Sequence, residues 1–225
     1  MKWKLCALLL VASLPALGGG EGAEPAATAN PHAGQRLLPR TLVYDCSGFE
    51  FVTRVGPDEM ALWLPGRYLV LSQVRSASGS KYQEGDIVFW SKGDNAMLQL
   101  ADVEYPQCRL QPERAPWADA RRRGVDFRAV GNEPGWHLEI QQGRQLLFVG
   151  NYGEQRLSTP DPGVQVAGQH RSYRASTEAV ELAVDILATP CFDSMSGEAF
   201  PAAVTVTVNG RELQGCGRDL ERLSN

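Results

Sequence analysis

Two short strings in the first half of the chain carry residues whose types and spacing are suited to binding chemistry. They are Ser78-Gly79-Ser80-Lys81-Tyr82 and, further along, Ser91-Lys92-Gly93. A lysine ammonium is a compact positive charge with three donors, and a serine hydroxyl both donates and accepts hydrogen bonds. Gly79 and Gly93 permit tight loop conformations that push the neighbouring side chains outward. Ser78 and Lys92 are therefore suited to binding carboxyl groups from two loops.

The second half of the chain offers residue types that catalyse reactions in many enzymes. The carboxylates, imidazole and hydroxyls that stand out are Glu133, His137, Asp193, Ser194, Ser196 and Glu198. A Ser-His-Asp arrangement needs such groups within about 3 Å of one another, and the G-x-S-x-G elbow is absent. A structural interpretation is simpler, because Asn132-Glu133-Pro134-Gly135 suits a turn and Asp193 or Ser194 suits a helical cap. We expect no catalytic residue; hydrolysis is an alternative that requires His137 to meet Ser194 or Ser196.

Short apolar runs separated by turn signals predict β-structure in the first half. The segment 50–55 alternates apolar and polar residues, as a half-buried strand does. Turns are marked by Gly48, Gly56-Pro57-Asp58, Pro65-Gly66 and Gly93-Asp94-Asn95. Regular short strands at this spacing predict a small sandwich or barrel. The predicted strands are 41–44, 50–55, 60–64, 68–74, 87–90 and 96–100.

The segment 111–124 differs from the β-rich sequence on either side. Pro112 and Pro116 open it, and Arg121-Arg122-Arg123-Gly124 is typical of a helix C-terminus. We interpret it as a linker with one helical turn, and we expect the arginine triplet to lie in solvent. Beyond it, Asn209-Gly210 marks a hairpin. The predicted strands of this half are 126–130, 136–140, 145–149, 173–175, 180–187 and 204–208.

The two loop strings resemble a known family when they are taken with their flanking residues. Tyr44-Asp45-Cys46 precedes them, Phe89-Trp90 leads into the second string, and Cys108 follows. In this order they are similar to the bacterial inhibitors of c-type lysozyme of the MliC type, which carry S-G-x-x-Y and a second loop ending in T-K-G. The resemblance covers about residues 41–110. It implies a small antiparallel β-barrel closed by a Cys46–Cys108 disulfide.

The same resemblance implies which residues bind and what they bind. Both loops enter the substrate cleft of lysozyme, with Ser78 as the serine of the first motif and Lys92 as the lysine of the second. Tyr82 matches the tyrosine, and Ser91 replaces the threonine of the family and lacks its methyl group. The expected binding residues are Ser78, Gly79, Tyr82, Ser91, Lys92 and Gly93.

The residue types agree with this implied mechanism. A retaining glycosidase presents two carboxyl groups about 5 Å apart, one ionised and one protonated. A lysine and a serine can occupy both groups without offering a bond to cleave. We expect Trp63 and Trp90 to belong to the core of the barrel rather than to stack on a ligand.

Two strings in the second half resemble an uncharacterised exported-protein domain of Gram-negative bacteria. They are G-N-E-P-G-W at 131–136 and C-F-D-S-M-S-G-E-A-F-P at 191–201. The resemblance covers about residues 125–220 and implies no activity. We expect a structural or ligand-binding part there rather than an enzyme.

The N-terminus is typical of an export signal. Lys2 and Lys4 precede an apolar stretch at 5–17, and Ala16-Leu17-Gly18 provides a small-x-small exit. The stretch is too short, and too interrupted by Pro15, to span a bilayer. No cysteine follows it at the place where a lipoprotein carries its lipid. We therefore expect a periplasmic protein without a stable membrane anchor.

Charge limits the classes of partner. The 225 residues include 22 basic and 26 acidic ones, a formal net charge of −4. Nucleic-acid binding is not expected, because neutralising phosphates needs a surplus of Lys and Arg. Removal of residues 1–20 takes away two lysines and no acid, which leaves a net charge of −6. Such a charge attracts a cationic enzyme at long range.

The cysteine count indicates disulfides rather than a metal site. Loss of the signal removes Cys6 and leaves four cysteines, which can pair in three ways. The organisation of the chain favours Cys46–Cys108 and Cys191–Cys216, because each pair then closes one candidate domain. Zinc is not expected, since C-x-x-C spacing is absent and the histidines are scattered.

Together these features predict an all-β protein, with a small antiparallel barrel followed by a second small β-rich domain and one disulfide in each. The predicted parts are a signal peptide at 1–20, a flexible linker at 21–39, an inhibitor domain at 40–112, a linker at 113–124 and the second domain at 125–225. The predicted function is inhibition of c-type lysozyme without a cofactor. The alternatives are an envelope module that binds another ligand, for instance in an apolar groove lined by Trp136 and Phe200, and a hydrolase in the second domain.

Overall fold

Eight consecutive antiparallel strands wind into a closed barrel in the first half of the protein. A computed structural model describes residues 39–221, so the predicted signal peptide and residues 21–38 of the predicted linker lie outside the described residues. Each strand pairs with the next, and β1 pairs with β8 to close the barrel. The strands are β1 (Arg40–Cys46), β2 (Phe49–Val55), β3 (Glu59–Leu64), β4 (Arg67–Val74), β5 (Ser80–Glu84), β6 (Ile87–Lys92), β7 (Asn95–Leu100) and β8 (Val103–Leu110).

The predicted antiparallel barrel is confirmed, and side-chain alternation explains its core. Successive residues of a strand point to opposite faces, so one parity of each strand fills the interior. Phe51, Leu62 and Phe89 are among the buried residues of that interior. Trp63 and Trp90 directly follow the buried Leu62 and Phe89 in their strands, so their side chains point outward, and Trp90 is 39% exposed. The prediction that these two tryptophans belong to the barrel core is therefore wrong.

A nine-stranded sheet follows in the second half and curls around its own core. The strand order is β12-β11-β10-β9-β19-β18-β15-β14-β13, and buried residues from most of these strands, among them Phe127, Leu138, Phe148, Val184 and Val206, form one cluster. The predicted second β-rich region is confirmed. Its strands are β9 (Phe127–Asn132), β10 (Gly135–Gln141), β11 (Gln145–Gly150), β12 (Gln155–Pro160), β13 (Gln165–Ala167), β14 (His170–Ser176), β15 (Glu181–Leu187), β18 (Ala202–Val208) and β19 (Arg211–Asp219), with a separate pair β16 (Cys191–Phe192) and β17 (Ala199–Phe200) and a 3-10 helix at Asn151–Gly153.

The helix α1 (Ala115–Arg122) lies between the two β-assemblies and contacts both. On the barrel side, Thr41 donates a 2.9 Å hydrogen bond to Asp119, and the Arg122 guanidinium lies 3.6 Å from the centre of the Trp63 ring. On the sheet side, Arg123 donates to both carboxylate oxygens of Glu139 at 2.8 and 2.9 Å. The expectation that the arginine triplet lies in solvent is therefore wrong for Arg122, whereas Arg123 stays exposed while its guanidinium pairs with Glu139.

One disulfide lies in each region, as predicted. Cys46–Cys108 joins the strands that close the barrel, and Cys191–Cys216 joins β16 to β19. These two bonds use all the cysteines of the described residues. No helix between residues 39 and 221 has the length and apolar character needed to cross a membrane.

Candidate functional site

The two predicted loops lie at the same end of the barrel. Hairpin turns of an up-and-down barrel alternate between its ends, so the turns at 56–58, 75–79 and 93–94 share one end. We call 75–79 the serine loop, which carries Ser78, and 93–94 the lysine turn, which Lys92 precedes. Strands β5 and β6 pair directly between them, with Ser80 opposite Ser91. The topology thus places the two strings side by side.

Gly79 brings the serine loop into close contact with the strand that carries Lys92. Its φ of +70° is a left-handed conformation that favours glycine. A Cβ at this position would overlap the carbonyl oxygen of Ser91 and would lie 3.2 Å from the Lys92 Cβ. Only a residue without a side chain permits this approach, so the glycine of the S-G-x-x-Y motif determines how close Ser78 lies to Lys92.

Hydrogen bonds hold the carbonyl groups of the serine loop. The Ser76 hydroxyl donates to the carbonyl of Ser78 at 3.2 Å and to that of Gly79 at 2.9 Å. The Trp90 indole N–H donates to the same Ser78 carbonyl at 2.8 Å. Neither Ser76 nor Trp90 was predicted as a site residue. Trp90 belongs to the second motif string, but the fold is needed to show that its indole N–H bonds to the Ser78 carbonyl.

Two of the expected binding residues point into the barrel. Tyr82 is buried beside Phe89, and burial raises the pKa of its phenol against the opposing effect of a hydrogen bond with Ser80. Burial likewise raises the pKa of Tyr44, whose hydrogen bond with the Ser91 side chain acts in the other direction. Tyr82 and Ser91 therefore contribute by supporting the barrel wall beneath the loops.

The remaining residues form an exposed polar surface. Lys92 and Gly93 are exposed, whereas Ser78 is half-buried by its loop. The outward face of β6 presents Trp90 and Lys92, and Lys81 lies directly opposite Trp90 on β5. The surface beside Ser78 therefore combines two ammonium groups with one indole ring. Such a surface suits a partner with carboxylates in a cleft.

Comparison with known proteins identifies the barrel. The family model described as "membrane-bound lysozyme-inhibitor of c-type lysozyme" matches residues 44–107. A membrane-bound lysozyme inhibitor of C-type lysozyme from Escherichia coli is 34% identical over 84 residues, which cover 36% of this chain and 77% of that protein. This chain belongs to the family of membrane-bound lysozyme inhibitors of c-type lysozyme.

The match to this inhibitor family is confined to the first half of the chain. The protein of the same description from Yersinia enterocolitica is 40% identical over 73 residues, which cover 31% of this chain. This chain spans 62% of the length of that relative. No solved structure matches the chain. The family match leaves the curled sheet unexplained, so its candidate residues rest on geometry alone.

Three of the candidate catalytic residues, Asp193, Ser194 and Ser196, are engaged in the turn between β16 and β17. The Asp193 carboxylate accepts hydrogen bonds from the backbone and hydroxyl of Ser196, and the Asn132 amide donates to both Asp193 and Ser194. Burial alone would raise the pKa of Asp193, but the bonds from Ser196 and Asn132 hold it below its usual range. Asp193 thus caps a tight turn, as the structural interpretation of the sequence anticipates.

His137 does not form the arrangement that a hydrolase requires. No hydrogen bond within residues 39–221 joins it to Ser194 or Ser196. Burial, together with the nearby Arg128 charge, lowers its pKa to about 4. The groove expected between Trp136 and Phe200 is also not formed, because Trp136 packs in the sheet core and Phe200 packs against Trp117 of α1. The geometry therefore favours neither alternative function.

Proposed function

We propose that this protein inhibits a c-type lysozyme by inserting the serine loop and the lysine turn into the substrate cleft of the enzyme. The observation that carries the proposal is the contact of Gly79 with the backbone of Ser91, which holds Ser78 beside Lys92 at an exposed end of the barrel. Both residues lie within the part of the chain that matches the inhibitor family. The Gly79 contact supports a fixed spacing of the two residues before any partner binds.

The proposed chemistry matches one group to each catalytic carboxyl. The ammonium of Lys92 pairs with the ionised carboxylate, and the Ser78 hydroxyl hydrogen-bonds to the protonated acid. Neither contact offers a glycosidic bond, so the enzyme is occupied without turnover. Lys81 lies on the adjacent outward face and would meet the rim of the cleft.

The proposal is tested with the chain from residue 21 to 225 in a turbidity assay of bacterial cell walls with hen-type lysozyme. We expect stoichiometric inhibition by the wild type. The double variant Ser78→Ala/Lys92→Ala is expected to lose most of the inhibition while its thermal unfolding stays unchanged. A matched control, Ser72→Ala/Arg67→Ala, removes a hydroxyl and a positive charge from exposed positions of β4. An inactive wild type at large molar excess, or a double variant of full potency, would contradict the proposal.

We also propose that 40–112 and 125–225 are two domains joined by 113–124. Residues 1–20 are proposed to direct export to the periplasm and then to be removed. The signal-like N-terminus and the two disulfides support export, since disulfides persist in oxidising compartments. The mass of the protein recovered from a periplasmic fraction tests this proposal. A mass that still includes residues 1–20 would refute it.

A further inference from the structure

The Trp90 side chain is an exposed aromatic group whose one polar atom is bonded to the serine loop. The residue is 39% exposed on the outer face of β6, and its side chain is not packed in the barrel core. Its indole N–H nevertheless donates to the Ser78 carbonyl at 2.8 Å, across 12 positions in sequence. An indole nitrogen can only donate, so this bond uses its entire hydrogen-bonding capacity.

The bond connects the two halves of the proposed site. Trp90 and Lys92 lie on the same strand and the same outward face, two residues apart. The other side-chain donor to the Ser78 carbonyl is Ser76, which belongs to the serine loop itself. Trp90 is therefore the side chain that fastens the loop with Ser78 to the strand with Lys92, in addition to the backbone contact of Gly79.

We infer that Trp90 is a positioning residue of the inhibitory site, which holds Ser78 at a fixed distance from Lys92 before a partner arrives. This inference rests on the proposed function. A loop that is already ordered in its bound conformation loses less entropy on binding. When this bond is removed and an aromatic ring is retained, Ser76 and the Gly79 contact alone hold the loop. The loop then samples more positions, and the complex is weakened.

The first test compares the variant Trp90→Phe with the control Trp63→Phe by surface-based kinetics against lysozyme. Trp63 is also an outward tryptophan of the barrel, but it contacts Arg122 and Tyr68 rather than a loop of the site. We expect Trp90→Phe to raise the dissociation constant about twofold to tenfold, the effect of one net hydrogen bond. Trp63→Phe is expected to leave it unchanged.

A third variant separates positioning from direct contact. If the ring itself made the contribution, Trp90→Phe would bind like the wild type and Trp90→Ala would bind weakly, and this outcome would overturn the inference. Ser76→Ala removes the other donor to the same carbonyl. In the Trp90→Phe background its effect is expected to exceed its effect in the wild type, because no second side chain then holds the loop.

A second measurement needs no lysozyme and so separates failure of the inference from failure of the proposed function. Proton exchange of the Trp90 indole N–H, followed by NMR in the free protein, is expected to be slower than that of an open indole. Backbone order parameters of 76–79 are expected to fall in Trp90→Phe and to stay unchanged in Trp63→Phe. Fast exchange, or a serine loop that stays equally ordered without the indole N–H, would overturn the positioning role even if the wild type inhibits lysozyme. If the wild type fails to inhibit but these signatures appear, only the proposed function is lost.

Discussion

The substitution Gly79→Ala tests whether the close approach of the two loops matters for inhibition. The glycine has a φ of +70°, and an added Cβ would overlap the carbonyl oxygen of Ser91 and lie 3.1 Å from its carbonyl carbon. Both atoms belong to the backbone of a paired strand, so they cannot rotate away as a flexible side chain would. The serine loop must therefore move outward, away from Lys92.

The size of the effect follows from two terms. A left-handed alanine costs about 1 to 2 kcal/mol relative to glycine, and forcing extra volume into a packed contact costs about 1 to 3 kcal/mol. For residues 39–221 unfolding as one unit, each kcal/mol lowers the Tm by roughly 2 to 4 °C, so the combined cost of about 2 to 5 kcal/mol predicts a decrease of about 4 to 20 °C. The outward shift also separates Ser78 from Lys92, and we expect inhibition to weaken at least tenfold.

Two other glycines provide matched controls. Gly66 and Gly85 have φ values of +67° and +56°, and an added Cβ at either position would meet no atom within 4 Å. Gly66→Ala and Gly85→Ala therefore introduce the backbone strain without the overlap, in turns at the other end of the barrel. The inhibition assay and a thermal melt are run on all three variants. Full inhibition by Gly79→Ala, or a loss in Gly85→Ala as large as in Gly79→Ala, would refute the reasoning.

Three further predictions concern the rest of the molecule. In the folded protein the pKa of His137 is lowered from 6.5 to about 4. As pH falls through this range, the imidazole is protonated in the unfolded chain before it is protonated in the folded one, so the free energy of unfolding decreases. His137→Gln should flatten that pH profile in urea titrations, and an unchanged profile would contradict the assignment. Replacing Cys191 and Cys216 by serine is expected to lower the free energy of unfolding by about 2 to 4 kcal/mol with inhibition retained, as measured by denaturant unfolding beside the turbidity assay. The association rate with a cationic lysozyme is expected to decrease as salt rises, because charges farther apart than roughly 8 Å are screened at about 0.15 M salt. Association rates measured by stopped flow that do not change with salt would exclude electrostatic steering.

Six of the eight barrel strands could be predicted from sequence because their information is local. The strands β5 and β8 were not predicted, since β5 is short and mostly polar and β8 contains Pro106. Alternation in β2 and the glycine-containing turns between strands mark hairpins without knowledge of distant residues. The orientation of Trp63 and Trp90 could not be predicted from their type, because both are large and apolar. It depends on the parity of each strand, and a shift of one position exchanges the inner and outer faces.

Strands of the curled sheet that lie at its edges or contain glycine were missed for different physical reasons. β12 and β13 are edge strands and are mostly exposed, so they lack the apolar signal of a buried strand. β19 contains Gly215 and Gly217, which weaken a strand pattern. A Cβ on Gly215 would lie 2.7 Å from the Trp136 ring, and one on Gly217 would lie 2.7 Å from the Phe127 ring. The sequence shows a weak strand where the structure requires space for aromatic rings of β9 and β10.

The role of the arginine triplet depends on partners that lie far away in sequence. Arg123 at the C-cap of α1 and Arg128 of β9 both pair with Glu139, which is only 2% exposed. Burial alone would raise the pKa of Glu139, but the bond from Arg123 and the charge of Arg128 hold it below its usual range. Loss of Arg123 would remove two hydrogen bonds from this buried carboxylate and leave Arg128 as its remaining arginine partner, which is expected to destabilise the fold. The segment that resembles a linker in sequence therefore supplies a charge that the curled sheet requires, while Asp119 and Arg122 of the same helix contact the barrel.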